Sequence, residues 1–300
     1  MQATCKGVRM GGETAEQTCD DWPDITYSRR EAAAIIAFNR PAQMNAARRQ
    51  THADLVAALD RAEADPGVRA VILTGAGRAF CAGTDISGGF DLPTGGDPAT
   101  GEGVAPDIGG VTVLRLFRLK KPVIAAVNGA AVGFGASLAV ACDIRLAAPS
   151  AKWGFVFARR GIAAESCVSW FLPRAVGVSV ALEWMMTGRM VSADEAAQAG
   201  LVRRVVPADE LLDTALGVVA EIAAHTAPVS VAMNRQLIWQ MAGAAHPAAA
   251  HALESRAIAA RLAHPDSTEG VAAFAARRAP QFEPGLDATT IMDHWWTEPT

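Results

Sequence analysis

The chain has 300 residues, 51% of them apolar and 19% charged, which is enough apolar material for a sizeable core and excludes intrinsic disorder over most of its length. Its 27 basic residues against 31 acidic ones leave a net charge of −4, so no nucleic-acid partner is expected. Five cysteines (Cys5, Cys19, Cys81, Cys142 and Cys167), an odd number without a C-x-x-C spacing, suggest neither a disulfide framework nor a zinc site, and with an N-terminus lacking an apolar stretch the expectation is a reduced, cytoplasmic setting.

Residues 1–20 are polar and aperiodic and read as a flexible tail. Ile25-Thr-Tyr-Ser28 and Ala33-Ala-Ile-Ile-Ala-Phe38 are strand-like runs joined by Arg29-Arg30-Glu31, as in a hairpin. Asn45 is placed to cap a helix reaching about Ala64, with Leu55, Val56 and Leu59 on one face, and Asp65-Pro-Gly67 ends it. Residues 68–74 come next as a buried strand. Residues 87–110 hold eight glycines and three prolines with little apolar pattern, a long loop of the kind that is functional or disordered. A helical pattern resumes over 111–119. Strand 123–127, helix 136–142 and strand 143–147 succeed it. Ser192-Ala-Asp-Glu195 is a capping box opening a short helix that Gly200 ends. Strand 202–206 and helices near 209–225, 228–241, 247–263 and 268–278 complete the chain. The expectation is an α/β core over 21–205 and a helical region over 206–300.

The stretch 122–142 carries no charge and is long enough to cross a bilayer, but Pro122, Asn128, Ser137 and three glycines divide it. It reads as strand, glycine turn and buried helix, so no membrane partner is expected.

Several motifs fail on inspection. Gly75-Ala-Gly77-Arg-Ala-Phe80 and Gly133-Phe-Gly135-Ala-Ser-Leu138 lack the third glycine of a dinucleotide fingerprint, and no P-loop is present. His246 and His251 are five apart, off the helical face a metal site uses, so no metal is expected. Gly135-Ala-Ser-Leu-Ala139 is near a nucleophile elbow but ends in alanine; a hydrolase built on Ser137 would need His225 or His251. A small residue for close helix–strand packing is the simpler reading.

Two other stretches can offer main-chain N–H groups beside a glycine-rich turn, Cys81-Ala-Gly-Thr-Asp85 and Asn128-Gly-Ala-Ala-Val-Gly-Phe-Gly135, the second of which opens a helix. N–H groups so placed stabilise negative charge developing on a bound oxygen. Either alone is a common feature of α/β proteins.

Together with Lys121-Pro-Val-Ile-Ala-Ala-Val-Asn-Gly129, Cys142-Asp-Ile-Arg145, Leu182-Glu-Trp-Met-Met-Thr-Gly188 and Ala196-Ala-Gln-Ala-Gly-Leu-Val202, the stretch Ala79-Phe-Cys-Ala-Gly-Thr-Asp85 resembles the crotonase superfamily, which includes enoyl-CoA hydratases and isomerases. The similarity runs from about residue 25 to 282. It implies an α/β, crotonase-like spiral of ββα units with a helical C-terminal trimerisation region, and a homotrimer or hexamer. It also implies an acyl-CoA thioester as substrate and no separate cofactor, coenzyme A being part of the substrate. Carried over by position, the oxyanion donors are the backbone N–H groups of Thr84 and Phe134, and Ala82 and Gly83 lie along coenzyme A.

Hydratases of the family carry two glutamates. The matching positions here are Ser137 and Phe157, which leaves at most a water or substrate contact at each. Glu165, in Gly161-Ile-Ala-Ala-Glu-Ser-Cys-Val-Ser-Trp-Phe-Leu-Pro173, stands where the segment resembles Δ3,Δ2-enoyl-CoA isomerases. Its neighbours Ile162, Ala163, Ala164, Val168, Trp170 and Phe171 are apolar or small, and desolvation raises a carboxylate toward the range of a general base, an effect Arg159 and Arg160 would oppose if they faced it. An acid favoured by the dipole of the next helix is the plainer alternative. The resemblance implies a 3-enoyl-CoA to 2-enoyl-CoA isomerase, with an enoyl-CoA hydratase next, then a thioester hydrolase or a non-catalytic acyl-CoA-binding subunit.

Overall fold

Strict alternation of burial along three strands sets the architecture. In β4 (Ala33–Phe38), Ala34, Ile36 and Phe38 face one core while Ala33 and Ile35 face another. In β5 (Ala70–Gly75), Val71 and Leu73 divide from Ala70 and Ile72 in the same way, and in β7 (Val123–Val127), Val123, Ala125 and Val127 divide from Ile124 and Ala126. Side chains alternate with a period of two, so a strand buried on both faces must be apolar throughout, and a parallel sheet covered on both sides results.

The computed structural model describes residues 8–9, 16–19, 22–89, 95–97, 99–286 and 292, the first two segments by backbone alone. The large sheet has the order β1-β2-β3-β4-β5-β7-β9-β12, with β1 (Val8–Arg9), β2 (Glu16–Cys19), β3 (Ile25–Arg30), β9 (Ile144–Ala147) and β12 (Arg204–Val205). Pairing is antiparallel from β1 to β4 and parallel from β4 to β12. One face is covered by α1 (Arg49–Ala64), α2 (Ile108–Arg118) and α3 (Phe134–Ala141); the other is covered by α7 (Leu211–His225) through Leu211, Ala215 and Val219. A second sheet of short strands has the order β11-β10-β8-β6: β6 (Ala79–Cys81), β8 (Ala130–Val132), β10 (Lys152–Gly154) and β11 (Met190–Ser192). The remaining helices are α4 (Val168–Val176), α5 (Val178–Thr187), α6 (Ala193–Gln198), α8 (Pro228–Met241), α9 (Pro247–Leu262) and α10 (Pro265–Ala276).

Several elements differ from the sequence reading. Within the expected tail, β2 adds to the sheet edge, with Gln17 paired to Arg29 and Cys19 to Tyr27. Asn45 is not a helix cap: it lies at φ 58°, a left-handed position asparagine tolerates, and its buried amide donates to Ala76 O (2.9 Å) and Ala79 O (2.8 Å). Helix α1 therefore starts later, where the Thr51 hydroxyl accepts from the Arg48 N–H at 3.0 Å. The loop read over 87–110 ends at Asp107, whose carboxylate caps α2. Helices α4 and α5, broken at Gly177 (φ 80°), fill a region between the expected strand 143–147 and the capping box at Ser192. The helical region expected from residue 206 divides: α7 belongs to the sheet core, whereas α8 and α9 share a small separate cluster of Val229, Ala232, Met233, Leu237 and Ala257.

The uncharged stretch 122–142 folds as β7, β8 and α3, and among the described residues no single helix is long and apolar enough to cross a bilayer. Arg235 fastens α8 to the core. Its guanidinium donates to Asp143 Oδ2 (2.7 Å) and to the carbonyls of Leu116 (3.2 Å), Phe117 (2.9 Å) and Leu119, filling the acceptors left open at the end of α2. Trp295 and Trp296 lie outside the described residues.

Candidate active site

Strands β6, β8 and β10 run parallel, Ala79 pairing with Ala130 and Lys152 also with Ala130, so their C-terminal ends share one edge of the small sheet. The turns that leave these strands therefore meet there. After β6 come Ala82, Gly83 and Thr84; after β8 come Gly133 and Phe134. The two turns touch. A Cβ on Gly83 (φ 100°) would lie 2.9 Å from Val132 O and 3.8 Å from the Gly133 Cα, and one on Gly135 would lie 2.1 Å from Cys81 O. Only glycine permits this approach, the first of these positions also needing its left-handed conformation.

The contact brings two N–H groups together. Thr84 sits between Gly83, whose carbonyl accepts from Ala47 N (2.7 Å), and Asp85, whose N–H donates to Ala47 O (2.8 Å). The Thr84 N–H itself makes no hydrogen bond among the described residues. Phe134 is the first residue of α3, and the turn before it supplies no acceptor: Gly133 N donates across to Gly154 O (2.8 Å), while Ser137 N takes the Gly133 carbonyl (3.0 Å). The Phe134 N–H likewise has no partner among the described residues, although Phe134 is only 1% exposed. Buried N–H groups are rarely left unpaired. Here the helix dipole adds to the attraction for a negatively charged oxygen.

Glu165 reaches the same place from β10. Phe155 and Phe157 are buried, a turn of 3-10 helix at Ala158–Arg160 ends on the left-handed Gly161, and the chain returns toward α3. Directly after Glu165, Ser166 (φ 58°) and Cys167 (φ 56°) are both left-handed. Successive strained non-glycine residues need outside support and cluster at functional sites. The half-buried carboxylate is turned inward: a methyl at Gly109 of α2 would lie 3.2 Å from Glu165 Oε2, 3.2 Å from the Phe134 ring edge and 2.1 Å from Ser166 Oγ. Burial pushes Glu165 up to about 7, the Asp107 charge adds to the rise, and Ser166 opposes it weakly. The Ser166 hydroxyl is buried with no partner at hydrogen-bonding geometry.

The origin of that burial differs from expectation in part. Ile162, Ala163 and Ala164 are exposed, whereas Val168 and Phe171 are buried and Trp170 half-buried; Gly109 of α2 and the Phe134 ring of α3 also lie close to the carboxylate. Arg159 points away, its Nε donating to Thr187 O at 2.8 Å.

The remaining candidates take other places. Ala82 donates its N–H to Met44 O (3.0 Å) and is half-buried beside Gly83 on the outer side of the first turn. Ser137 is fully buried in α3 and its hydroxyl donates to Gly133 O (3.2 Å); His225 and His251 are exposed on α7 and α9, so no nucleophilic serine forms. Phe157 is 3% exposed and part of the core. Three site residues escaped the sequence reading. Gly109 and Asp107 sat in what looked like loop, although an aspartate ahead of a resuming helical pattern is a capping signal. His52 of α1 is buried against Phe134 (ring centroids 4.3 Å apart), with Nδ1 2.9 Å from Thr112 Oγ1, and burial holds it neutral with a pKa of about 4. The assembled site pairs two unengaged N–H donors with one poised carboxylate.

Comparison with known proteins gives a consistent picture. A family model described as enoyl-CoA hydratase/isomerase matches residues 28–285. An enoyl-CoA hydratase of Alternaria alternata is 36% identical over 264 residues, covering 88% of this chain and 85% of the relative. The crystal structure of an enoyl-CoA hydratase from Bacillus anthracis superposes with a TM-score of 0.78 at 30% identity, over 87% of this chain and 99% of the other. That of a monofunctional enoyl-CoA isomerase from M. smegmatis gives 0.64 at 35% identity, over 76% and 98%.

Proposed function

The chain belongs to the enoyl-CoA hydratase/isomerase family, a crotonase-type enzyme, and from that premise we propose that it moves the double bond of a 3-enoyl-CoA to the 2-position. The observation that carries this reading is the site's acid complement: Glu165 facing the same Gly109 gap as the Phe134 ring, with a buried, internally bonded serine at 137 and a core phenylalanine at 157. The thioester oxygen accepts from the N–H groups of Thr84 and Phe134. Glu165, as carboxylate, removes a proton from C2, and the electron pair moves toward the carbonyl to form a dienolate. The two N–H donors hold the negative oxygen, where preorganised donors act most strongly. The same group, now an acid, returns the proton to C4 and leaves the conjugated 2-enoyl-CoA. A single carboxylate suffices for this shuttle, and a pKa near neutrality suits both directions.

Hydration is the second reading, favoured by the hydratase names among the relatives and by Asp107 as another carboxylate near Glu165. It ranks second because Asp107 Oδ1 is committed to two main-chain N–H groups, of Gly110 and Ser166. Mixing the protein with a 3-enoyl-CoA and, separately, a 2-enoyl-CoA while monitoring conjugated-thioester absorbance tests both. A rise with the first is expected; a fall with the second and no change with the first overturns the isomerase reading.

We further propose that the chain works as a homotrimer or a hexamer of two trimers. Val178, Leu182 and Met186 on α5, with Ile238, Ile258, Leu262, Val271 and Phe274 on α8 to α10, are exposed apolar side chains, Phe274 at 87%. Surfaces of this kind mark association. Light scattering on the purified protein should give three or six subunit masses; a monomer at micromolar concentration counts against it.

A further inference from the structure

Glu165 opens a turn that the Val168 N–H closes on the Glu165 carbonyl at 3.2 Å, and that turn is also held from outside. Ser166 and Cys167 both occupy the left-handed region, and the Ser166 hydroxyl is buried beside the Glu165 carboxyl without a partner at full hydrogen-bonding geometry. The turn is fastened by Asp107, from another element. Its Oδ1 accepts from the Gly110 N–H at 2.5 Å, capping α2, and from the Ser166 N–H at 3.1 Å, the peptide next after Glu165. Between these anchors lies Gly109, whose missing side chain leaves room for Ser166 Oγ and Glu165 Oε2. The cap and the base are therefore coupled through one oxygen atom.

We propose that Asp107 is a positioning residue for the reaction: its carboxylate locks the peptide after Glu165 onto the N-terminus of α2. Its charge adds to what burial already does in raising the Glu165 carboxyl. The inference rests on Glu165 as the base. An aspartate capping α2 alone would bond Gly110 and leave Ser166 N to other partners; here the second bond spans 59 positions of sequence to the site. The charged and titratable groups around Glu165 come from each packed element. Asp107 stands at the start of α2, Cys81 at the end of β6 is buried and held as the thiol, and Cys167 at the start of α4 is also pushed up. His52 of α1 is neutral behind Phe134, and Arg159 is turned to Thr187. Among these described neighbours, Asp107 is the group whose charge raises Glu165.

The test uses D107A, D107N and E165Q in the full chain, with kcat and KM for a 3-enoyl-CoA measured across pH. D107A should lower kcat about 10–100-fold with KM within about 3-fold, as misplacement of a reacting group does. D107N, whose amide oxygen can still accept both N–H bonds, should recover most of kcat but move the acidic limb of the profile down by about 0.5–1 pH unit. A merely structural cap predicts no such movement. Wild-type kcat in folded D107A, or a D107N profile superimposed on wild type, overturns the inference. If E165Q proves fully active, the base assignment falls on its own. The inference is then read from NMR of 13C-labelled glutamate, where the Glu165 carboxyl signal is identified by its loss in E165Q. A midpoint lowered in D107N upholds the effect of the charge, and an unchanged midpoint refutes it.

Discussion

The two sheets of this protein are built on opposite terms. The large sheet pairs long runs, β3 with β4 over six residues and β4 with β5 over six more, and buries side chains on both faces. The small sheet has three-residue strands and one register shift between Ala79 and Cys81, yet its edge carries both unengaged N–H groups and leads to Glu165. Long strands accumulate burial energy; short parallel strands end together and set their outgoing turns side by side. Stability and chemistry are thus separable, which makes the contrast open to test.

The sharpest break is chemical. Glu165→Gln should reduce turnover about 10²–10⁴-fold while a non-reactive acyl-CoA binds as before, and wild-type activity should rise as pH increases through about 7, since the carboxylate is the working form. The same substitution should stabilise the fold. A carboxyl raised above its unfolded value favours folding below about 4.5 and loses that contribution as pH climbs through about 7, so at pH 8 the variant should gain about 1–2 kcal/mol after allowance for partial exposure, and nothing at pH 4. Urea melts at both pH values check this.

Ile72→Ala, in the middle of β5 and fully buried, should cost about 2–5 kcal/mol of stability while the folded fraction keeps its kcat. An equal loss of kcat would show that the large sheet also tunes the site. Gly83→Ala should do the reverse, costing about 1–3 kcal/mol in backbone strain and contact with Val132 O, with kcat down about 10-fold or more. Ser137→Ala is the smallest change. With its hydroxyl already bonded to Gly133 O, it should leave kcat within about 3-fold and stability within about 1 kcal/mol; a larger kinetic loss would point to a water held there and favour hydration.

The same contrast explains how far the sequence could be read. Strands β4, β5 and β7 were legible because burial on both faces writes unbroken apolar runs such as Val71-Ile-Leu73. The strands of the small sheet were not, since three residues carry no period, and their parallel alignment depends on pairing partners far along the chain. Glu165, the two glycine turns and their meeting at one oxygen were implied by the family pattern, but the residues alone did not imply that they meet. Asn45 was misread because asparagine suits both a helix cap and a left-handed bend. Asp107 was lost in a glycine-rich stretch because its second bond, to Ser166, is visible only once α2 and the turn before α4 are brought together.

The donors at Thr84 and Phe134 belong to the peptide backbone, and that has a consequence for how such a scaffold changes over generations. Almost any exchange of side chain at those two codons leaves the amide hydrogens where they are, with proline the exception because it has none. Acidic groups around them can be gained, lost or moved by single mutations. On the proposed mechanism, descendants of this gene are free to trade one reaction for another while remaining bound to substrates whose carbonyl oxygen must bear charge.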